Sequence, residues 1–359
     1  NERPGPLTFV VRPGASGALI VYDPKKTFVY MSQFDDDKTP ADFTPEACQD
    51  IIKQAIGRAG VPFTLKNVAP WTMRSQVAEQ YRSGNIFLLG DAAHRFPPTG
   101  GLGLNTGIID AHNIAWKLAS VINGHAAPSL LDSYETECQK IAIENADHST
   151  NNVGKMLDIP VALDLTTPEA LENTIDNMEH DPMLKKDVKA AIDNQLEHFF
   201  TTGMDLGFYY KDGAIIDDGQ PHPVPENPAL QYIPTTHPGA RLPHAWLEQN
   251  GASFSSQDLC HYSDLTLLIG EQGGAWRQTI DTLKQQFPVS LNCVSIGRGG
   301  DFQDPQSTWQ SLREVGEDGS ILVRSDGHIA WRSPSSVADP EKVLHQVFSQ
   351  LGFLPSTSP

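Results

Sequence analysis

The chain has 359 residues, more than one hydrophobic core organises, so two or three domains are expected. Apolar residues make up 39%, and no apolar run approaches the roughly 18 residues that span a bilayer, which excludes a membrane-spanning helix. A formal net charge of −18, from 26 Lys and Arg against 44 Asp and Glu, excludes a surface that tracks nucleic-acid phosphates.

The sequence opens Asn1-Glu2-Arg3-Pro4-Gly5-Pro6, with no initiator Met and no leader pattern, so it is expected to start inside a longer protein. Residues 7–11, 17–22 and 27–32 are short β-prone runs parted by Gly, Pro, Asp and Lys, and they predict a sheet. Thr44 precedes Pro45 and Glu46, and Ile51, Ile52, Ala55 and Ile56 follow at helical spacing, so 45–58 is predicted as a capped amphipathic helix. A further strand is expected around Phe63 to Val68.

Ile86-Phe87-Leu88-Leu89 predicts a short buried strand running into Gly90-Asp91 and a loop rich in Pro and Gly. A helix follows from about 104 to 122, with Leu104, Ile108, Ala111, Ala115, Leu118 and Ile122 marking its expected buried face. A second helix over 130–147 carries Leu131, Tyr134, Cys138 and Ile141 in the same way. From 150 to 230 the pattern is helical, acidic and interrupted, with Pro160, Pro168 and Pro182 as breakers and a turn-rich exit from Asp212 to Pro228. The remainder alternates strands at 265–269, 289–296 and 320–323 with helices at 274–286 and 340–351, an α/β pattern. Cys48, Cys138, Cys260 and Cys293 form no CxxC, which argues against a disulfide framework or a zinc site and suits a reducing, cytoplasmic compartment.

The strand, Gly90-Asp91-Ala92-Ala93-His94, Pro97-Pro98, Gly100-Gly101-Leu102-Gly103 and helix form one constellation with a definite use. A carboxylate at a strand end accepts hydrogen bonds from polyol hydroxyls, and glycines let the main chain approach a flat ring. The helix start at Leu104 and Asn105 offers unpaired N–H groups and a positive dipole end to the anionic edge of a reduced isoalloxazine. A plain strand–turn–helix connection is the alternative for each part taken singly.

The run Gly84 to Thr106 is similar over its whole length to the second FAD motif of the class A FAD-dependent aromatic hydroxylases, the family with the para-hydroxybenzoate hydroxylase fold. His237 to Trp246, Gly273 to Trp276 and Leu322 to Arg332 resemble the thioredoxin-like C-terminal domain of its dichlorophenol and phenol hydroxylase branch. The resemblance implies an α/β and α+β multidomain chain, the C-terminal part of a para-hydroxybenzoate hydroxylase-like FAD and substrate domain followed by a thioredoxin-like domain. That domain carries no CxxC and so is expected to be structural. The segments are 1–83, a partial substrate-binding sheet; 84–148, the FAD-binding segment; 149–230, a helical region and linker; and 231–359, the C-terminal domain.

On this numbering the resemblance gives Asp91 the ribityl chain, Leu104 and Asn105 the flavin edge, and Pro98 a carbonyl that contacts substrate or the reacting flavin. Gly90, Gly101 and Gly103 complete the cofactor set. Trp71 and Met73, on the segment entering the motif, are read as substrate-pocket wall, with core packing as the alternative; His94 is read as structural and Arg95 as a solvent or phosphate-side contact. FAD with NAD(P)H and O2 would hydroxylate a phenolic or polyketide-type aromatic through a C4a-hydroperoxyflavin. The alternative is a shortened, flavin-free homologue acting as a binding protein or non-redox catalyst. No N-terminal GxGxxG is present, so a further segment or second chain is expected to supply the dinucleotide-binding unit. The glycine-rich stretches 268–274 and 296–300 have the wrong spacing for that role and are read as loops. No metal is expected, and 130–230 with the C-terminal domain is expected to form a homodimer contact.

Overall fold

The computed structural model describes residues 5–32, 38–58 and 60–356; residues 1–4, part of the opening stretch discussed above, lie outside them. The chain divides into two units, one of residues 1–73 and 151–196, the other of residues 74–150 and 197–359.

In the first unit, β1 (Leu7–Val10), β2 (Gly17–Asp23) and β3 (Thr27–Ser32) form an antiparallel meander in that order. Helix α1 (Pro45–Ile56) starts where expected: the Thr44 side chain accepts from the Ala47 N–H at 3.3 Å, and Pro45 takes the first helical position. It stops at Gly57, whose φ of 64° is the left-handed conformation that ends helices at glycine. The strand expected over 63–68 does not form. Residues 61 to 75 carry no regular structure, and Phe63 and Val68 are exposed, so their alternation has no ladder to join.

The second unit begins with four two-residue strands: β4 (Gln76–Val77), β5 (Arg82–Ser83), β6 (Ile86–Phe87) and β7 (His94–Arg95). Strand β4 pairs with β7, and β5 with β6. The strand expected at 86–89 is therefore shorter and less buried than its composition suggests, with Ile86 70% exposed. Helix α2 (Leu102–Ile122) and helix α3 (Asp132–Lys155) follow. Leu131, just before α3, and Tyr134, Cys138 and Ile141 on it are buried as the periodicity required, and Leu131, Tyr134 and Cys138 share a core with Tyr81, Ala93 and Ile114.

The stripe expected to bury α2 does the opposite: Leu104 and Ile122 are 78% exposed and Ile108 59%. Besides Leu102, Ile114 and Trp116, the buried positions are Thr106, Asp110, Asn113 and Lys117, each two residues after a member of the expected stripe, about 200° around the helix. These polar side chains are buried because each has a built partner, and hydropathy alone carries no information about partners.

In the first unit, α4 (Asp158–Ala162), α5 (Pro168–Met178) and α6 (Pro182–Asp193) are short helices, with α6 packed against the other two. Pro168 and Pro182 start helices instead of breaking them, behind the N-caps Thr167 and Asp181. In the second unit, α7 (Thr202–Gly207) leads to a turn-rich stretch and then the hairpin β8 (Trp246–Gln249) and β9 (Ala252–Ser255). There follow β10 (Asp264–Ile269), α8 (Gly274–Gln286), β11 (Ser290–Ser295), α9 (Thr308–Leu312), β12 (Ser320–Val323), β13 (Ile329–Ser333) and α10 (Pro340–Gln350).

The sheet order is β11-β10-β12-β13, with β10 parallel to β11 and antiparallel to β12. Residues of β10 alternate between two cores. Leu265, Leu267 and Ile269 pack with Trp276, Phe348 and, from α2, Trp116; Leu268 packs with Leu247, Trp309 and Val323. Trp116 thus joins the helix after the Gly90-Asp91 loop to the core of the C-terminal sheet.

Candidate functional site

The chain enters the loop through Leu89, extended at φ −150°, and turns at Gly90, whose φ is 56°. Gly90 also lies against Gly107 of α2: a Cβ built on Gly107 would come 3.1 Å from the Gly90 Cα. Glycine at both places lets the loop rest directly on the helix. A single 3-10 turn, Gly90–Ala92, follows, closed by the Ala93 N–H donating to the Gly90 carbonyl at 2.8 Å.

Asp91, at the head of this turn, is exposed, and its carboxylate makes no hydrogen bond among the described residues. Its neighbour His94 is buried, bonded through Nε2 to Asp110 at 2.9 Å and stacked on Phe96 with ring centroids 4.7 Å apart. Arg95 is exposed. The Thr99 hydroxyl donates to the Ser149 carbonyl at 2.6 Å, pinning the second half of the loop to α3.

Helix α2 begins at Leu102 behind Gly101, an N-cap residue at φ 68° with no side chain to cap the helix. The Gly101 N–H donates to the Pro98 carbonyl at 3.1 Å. The amides of Leu102, Gly103 and Leu104 therefore lie in the turn where no intrahelical acceptor exists. Asn105 sits one residue later, where a helical N–H points back to the N-cap carbonyl, and its side-chain Nδ2 donates to the Gly101 carbonyl at 3.1 Å. Pro98, Gly101, Leu104 and Asn105 are all exposed. An unpartnered carboxylate, a row of unpaired amides at a positive helix end, and a glycine, Gly101, with open space beside it match the needs of a ribityl chain and a ring with an anionic edge. The residues present fit the sugar-alcohol and ring end of a flavin.

Trp71 and Met73 belong to the other unit, in an irregular stretch, 54% and 42% exposed, so neither is a core residue. A cavity of about 280 Å³ between Ala127, Phe287, His345 and Phe353 contains none of the loop residues. Asp217, Asp218 and His237 lie close enough to share an ion, but Asp218 already accepts from Arg332 Nε at 2.6 Å and His237 Nε2 faces the Gln220 carbonyl at 2.7 Å. In the glycine-rich stretch 296–300, the Glu271 carboxylate accepts the Arg298 N–H, filling with negative charge the place an anion would take.

A buried ionic network that the sequence reading missed joins α2, α3 and the turn after β12. The Glu137 carboxylate of α3 accepts from Arg324 Nη1 and Nη2 at 2.8 Å each, Lys117 Nζ at 2.8 Å, Asn113 Nδ2 at 2.5 Å and the Ala214 N–H at 2.7 Å. Arg324 also bonds Asp326 through Nε at 3.0 Å, and Asp326 accepts from Trp116 Nε1 at 3.0 Å. Two cations face two anions, all four nearly inaccessible to water. Burial by itself raises the Glu137 carboxyl, but Arg324 and Lys117 outweigh it and hold it at about 2. Lys117 moves down because burial and the Arg324 charge oppose Glu137. Burial also pushes His328 down to about 4, so its ring is neutral at pH 7 and donates from Nδ1 to the Gly239 carbonyl at 3.0 Å. The signal in the sequence was Lys117 on a helix of buried spacing and the charged cluster Arg324-Ser325-Asp326.

The model of the FAD binding domain family matches residues 7–149, and that of the aromatic-ring hydroxylase C-terminal family matches residues 235–350. The chain is 35% identical over 324 residues to phenol 2-monooxygenase of Pseudomonas sp. (strain EST1001), covering 88% of this chain and 53% of that protein. It is 30% identical over 347 residues to 2,4-dichlorophenol 6-monooxygenase of Delftia acidovorans, covering 93% and 59%. The crystal structure of the flavin-dependent monooxygenase PieE in complex with FAD and substrate superimposes with a TM-score of 0.89 at 34% identity, covering 97% of this chain and 63% of that one. The chain thus spans little more than half the length of these two curated relatives.

Proposed function

We propose, for a chain that belongs to the family of FAD-dependent aromatic hydroxylases, that Gly90 to Asn105 hold the ring and ribityl end of FAD. In this reading the whole enzyme uses NAD(P)H and O2 to hydroxylate a phenolic or polyketide-type aromatic. The observation that carries it is the uncapped start of α2 beside the unpartnered Asp91. Bound flavin would supply the activation of O2, one of whose oxygen atoms enters the ring.

This chain's own residues bind and orient. Asp91 accepts from ribityl hydroxyls, and the Leu102 to Leu104 amides stabilise negative charge at the flavin edge, with Asn105 beside them. Gly101 and Gly103 allow close approach, and the Pro98 carbonyl, which spends one lone pair on Gly101, has another for substrate. Trp71 and Met73 remain our candidates for the wall that excludes water from the aromatic substrate. The flavin-free alternative is not favoured, since the relatives are monooxygenases by name.

The C-terminal sheet is, in our reading, thioredoxin-like: its order β11-β10-β12-β13 with one parallel pair, and helices α8 and α10, supports this. Its cysteines, Cys260 and Cys293, are free thiols pushed up by burial and stand in no CxxC, so it acts structurally. The four segments ending at 83, 148, 230 and 359 remain our division of function. We assign the dinucleotide-binding unit to a further segment or second chain, supported by the share of the relatives left uncovered and by the exposed Leu104, Ile108 and Ile122 on α2. We also assign a homodimer contact to 130–230, where Leu157, Val161 and Met183 are exposed. Among the described residues no helix is long and apolar enough to cross a membrane.

The experiment is steady-state turnover of a panel of simple phenols and polycyclic phenols by the enzyme carrying its dinucleotide-binding unit, followed by NAD(P)H oxidation and product mass. A mass gain of one oxygen atom on a phenolic ring supports the reading. NAD(P)H oxidation without a hydroxylated product from any member of the panel contradicts it.

A further inference from the structure

We propose that Asp110 is a positioning residue for the flavin loop, a clamp that holds the turn bearing Asp91 against α2. The proposal rests on the reading of Gly90 to Asn105 as the flavin loop. Asp110 is completely buried on α2, three residues beyond Gly107 and on the face the loop rests upon. Its Oδ2 accepts the Gly90 N–H at 3.0 Å and bonds His94 Nε2 at 2.9 Å. Its Oδ1 has no partner in the chain among the described residues, so both of its hydrogen bonds go to the two ends of one five-residue turn. Asp91 lies between those ends.

The chemistry of the clamp follows from the donors. Gly90 can only donate through its N–H, so Oδ2 is an acceptor there, and with Asp110 as a carboxylate the second bond on the same oxygen is donated by Nε2. His94 Nδ1 is then the bare nitrogen, and it has no partner among the described residues. The ring is held flat by Phe96, stacked at an interplanar angle of 9°. A charged acceptor makes the stronger class of hydrogen bond, and a buried one is scarcely screened by salt. Asp110 therefore acts on the cofactor only through the position of Asp91.

The test combines amide hydrogen exchange, read by mass spectrometry on peptides covering 88–96, with fluorescence titration of the same protein by FMN, a probe that carries the ring and ribityl chain without the adenylate. Asp110→Ala is expected to speed exchange in 88–96 at least tenfold, while peptides of β10 change little. It should weaken FMN tenfold to a hundredfold, the range expected for losing a hydrogen bond to a charged group. Asp110→Asn keeps an oxygen in place of Oδ2 and should recover part of both effects, which serves also if the Ala variant fails to fold. The cycle with Asp91→Ala is the decisive arm: if Asp110 works through Asp91, the double variant binds FMN no more than about twofold worse than Asp91→Ala alone.

Unchanged exchange in 88–96 in both Asp110 variants overturns the clamp, as does faster exchange with unaltered FMN affinity, or full additivity with Asp91→Ala. Should the parent protein bind no FMN, the flavin reading fails; faster exchange in the Asp110 variants would still establish the clamp.

Discussion

Glu137→Gln is the substitution for which the structure gives the largest and most specific expectation. The carboxylate takes five hydrogen bonds, three of them from two buried cations, Arg324 and Lys117. Glutamine keeps the shape but removes the charge, leaving two buried cations against Asp326 alone. Breaking a buried pair in this way costs about 3–5 kcal/mol. The pH dependence gives an independent figure. A carboxyl held at about 2, against an ordinary 4.5, contributes about 3 kcal/mol of stability. Because the folded-state value is depressed, that contribution is complete above pH 4.5 and is lost as pH falls toward 2. Urea denaturation of the second unit, monitored by tryptophan fluorescence, should show a gap of that size between parent and variant at pH 7, closing as pH falls from 4.5 to 2. A gap below about 0.5 kcal/mol at pH 7, the range of ordinary surface substitutions, would refute the reasoning.

Other expectations concern residues and properties besides Glu137. His328, pushed down to about 4 by burial, contributes stability that is complete above pH 6.5 and is lost as pH falls from 6.5 to 4; His328→Asn should flatten that limb of the urea midpoint against pH, and an unchanged slope would assign it elsewhere. Purified alone, the 359-residue chain should leave a gel-filtration column without stoichiometric FAD, because losing about 4 kcal/mol of adenylate-side contacts takes a nanomolar site to micromolar. Yellow protein with one FAD per chain, of verified intact mass, would show that no further segment is needed. Sedimentation at micromolar concentration should reveal a dimer, and a 39.3 kDa species alone would remove the proposed contact along 130–230.

Local chemistry made much of this legible in advance. Thr44-Pro45 placed the start of α1, strict spacing placed the buried face of α3, and Gly-Pro punctuation isolated the loop around Asp91. Two kinds of feature were not legible. Where a hydrophobic run lacks a partner, as at 63–68, propensity predicts a strand that pairing does not complete. Where polar residues are buried by partners distant in sequence, periodicity points to the wrong side: Asp110 meets a loop 16 to 20 residues away, and Glu137 meets an arginine 187 residues away. The proposed clamp was hidden in the same way, since His94 lies within the motif while Asp110 stands beyond it, at a position the apolar periodicity of α2 did not mark. The two substrate-side residues, Trp71 and Met73, owed their selection to resemblance and sit in a stretch whose geometry follows no local rule.

In the proposed function, Asp91 and the uncapped start of α2 hold the ring and ribityl end of a flavin. Titration of the chain with FMN, followed by flavin fluorescence, with Asp91→Ala beside it, tests that claim most directly. Saturable binding in the micromolar range is expected, weakened tenfold or more in the variant by loss of a charge-assisted hydrogen bond worth about 1.5–3 kcal/mol. Equal affinity in parent and variant, or no saturation up to about a millimolar, where binding is worth only about 4 kcal/mol, would contradict it.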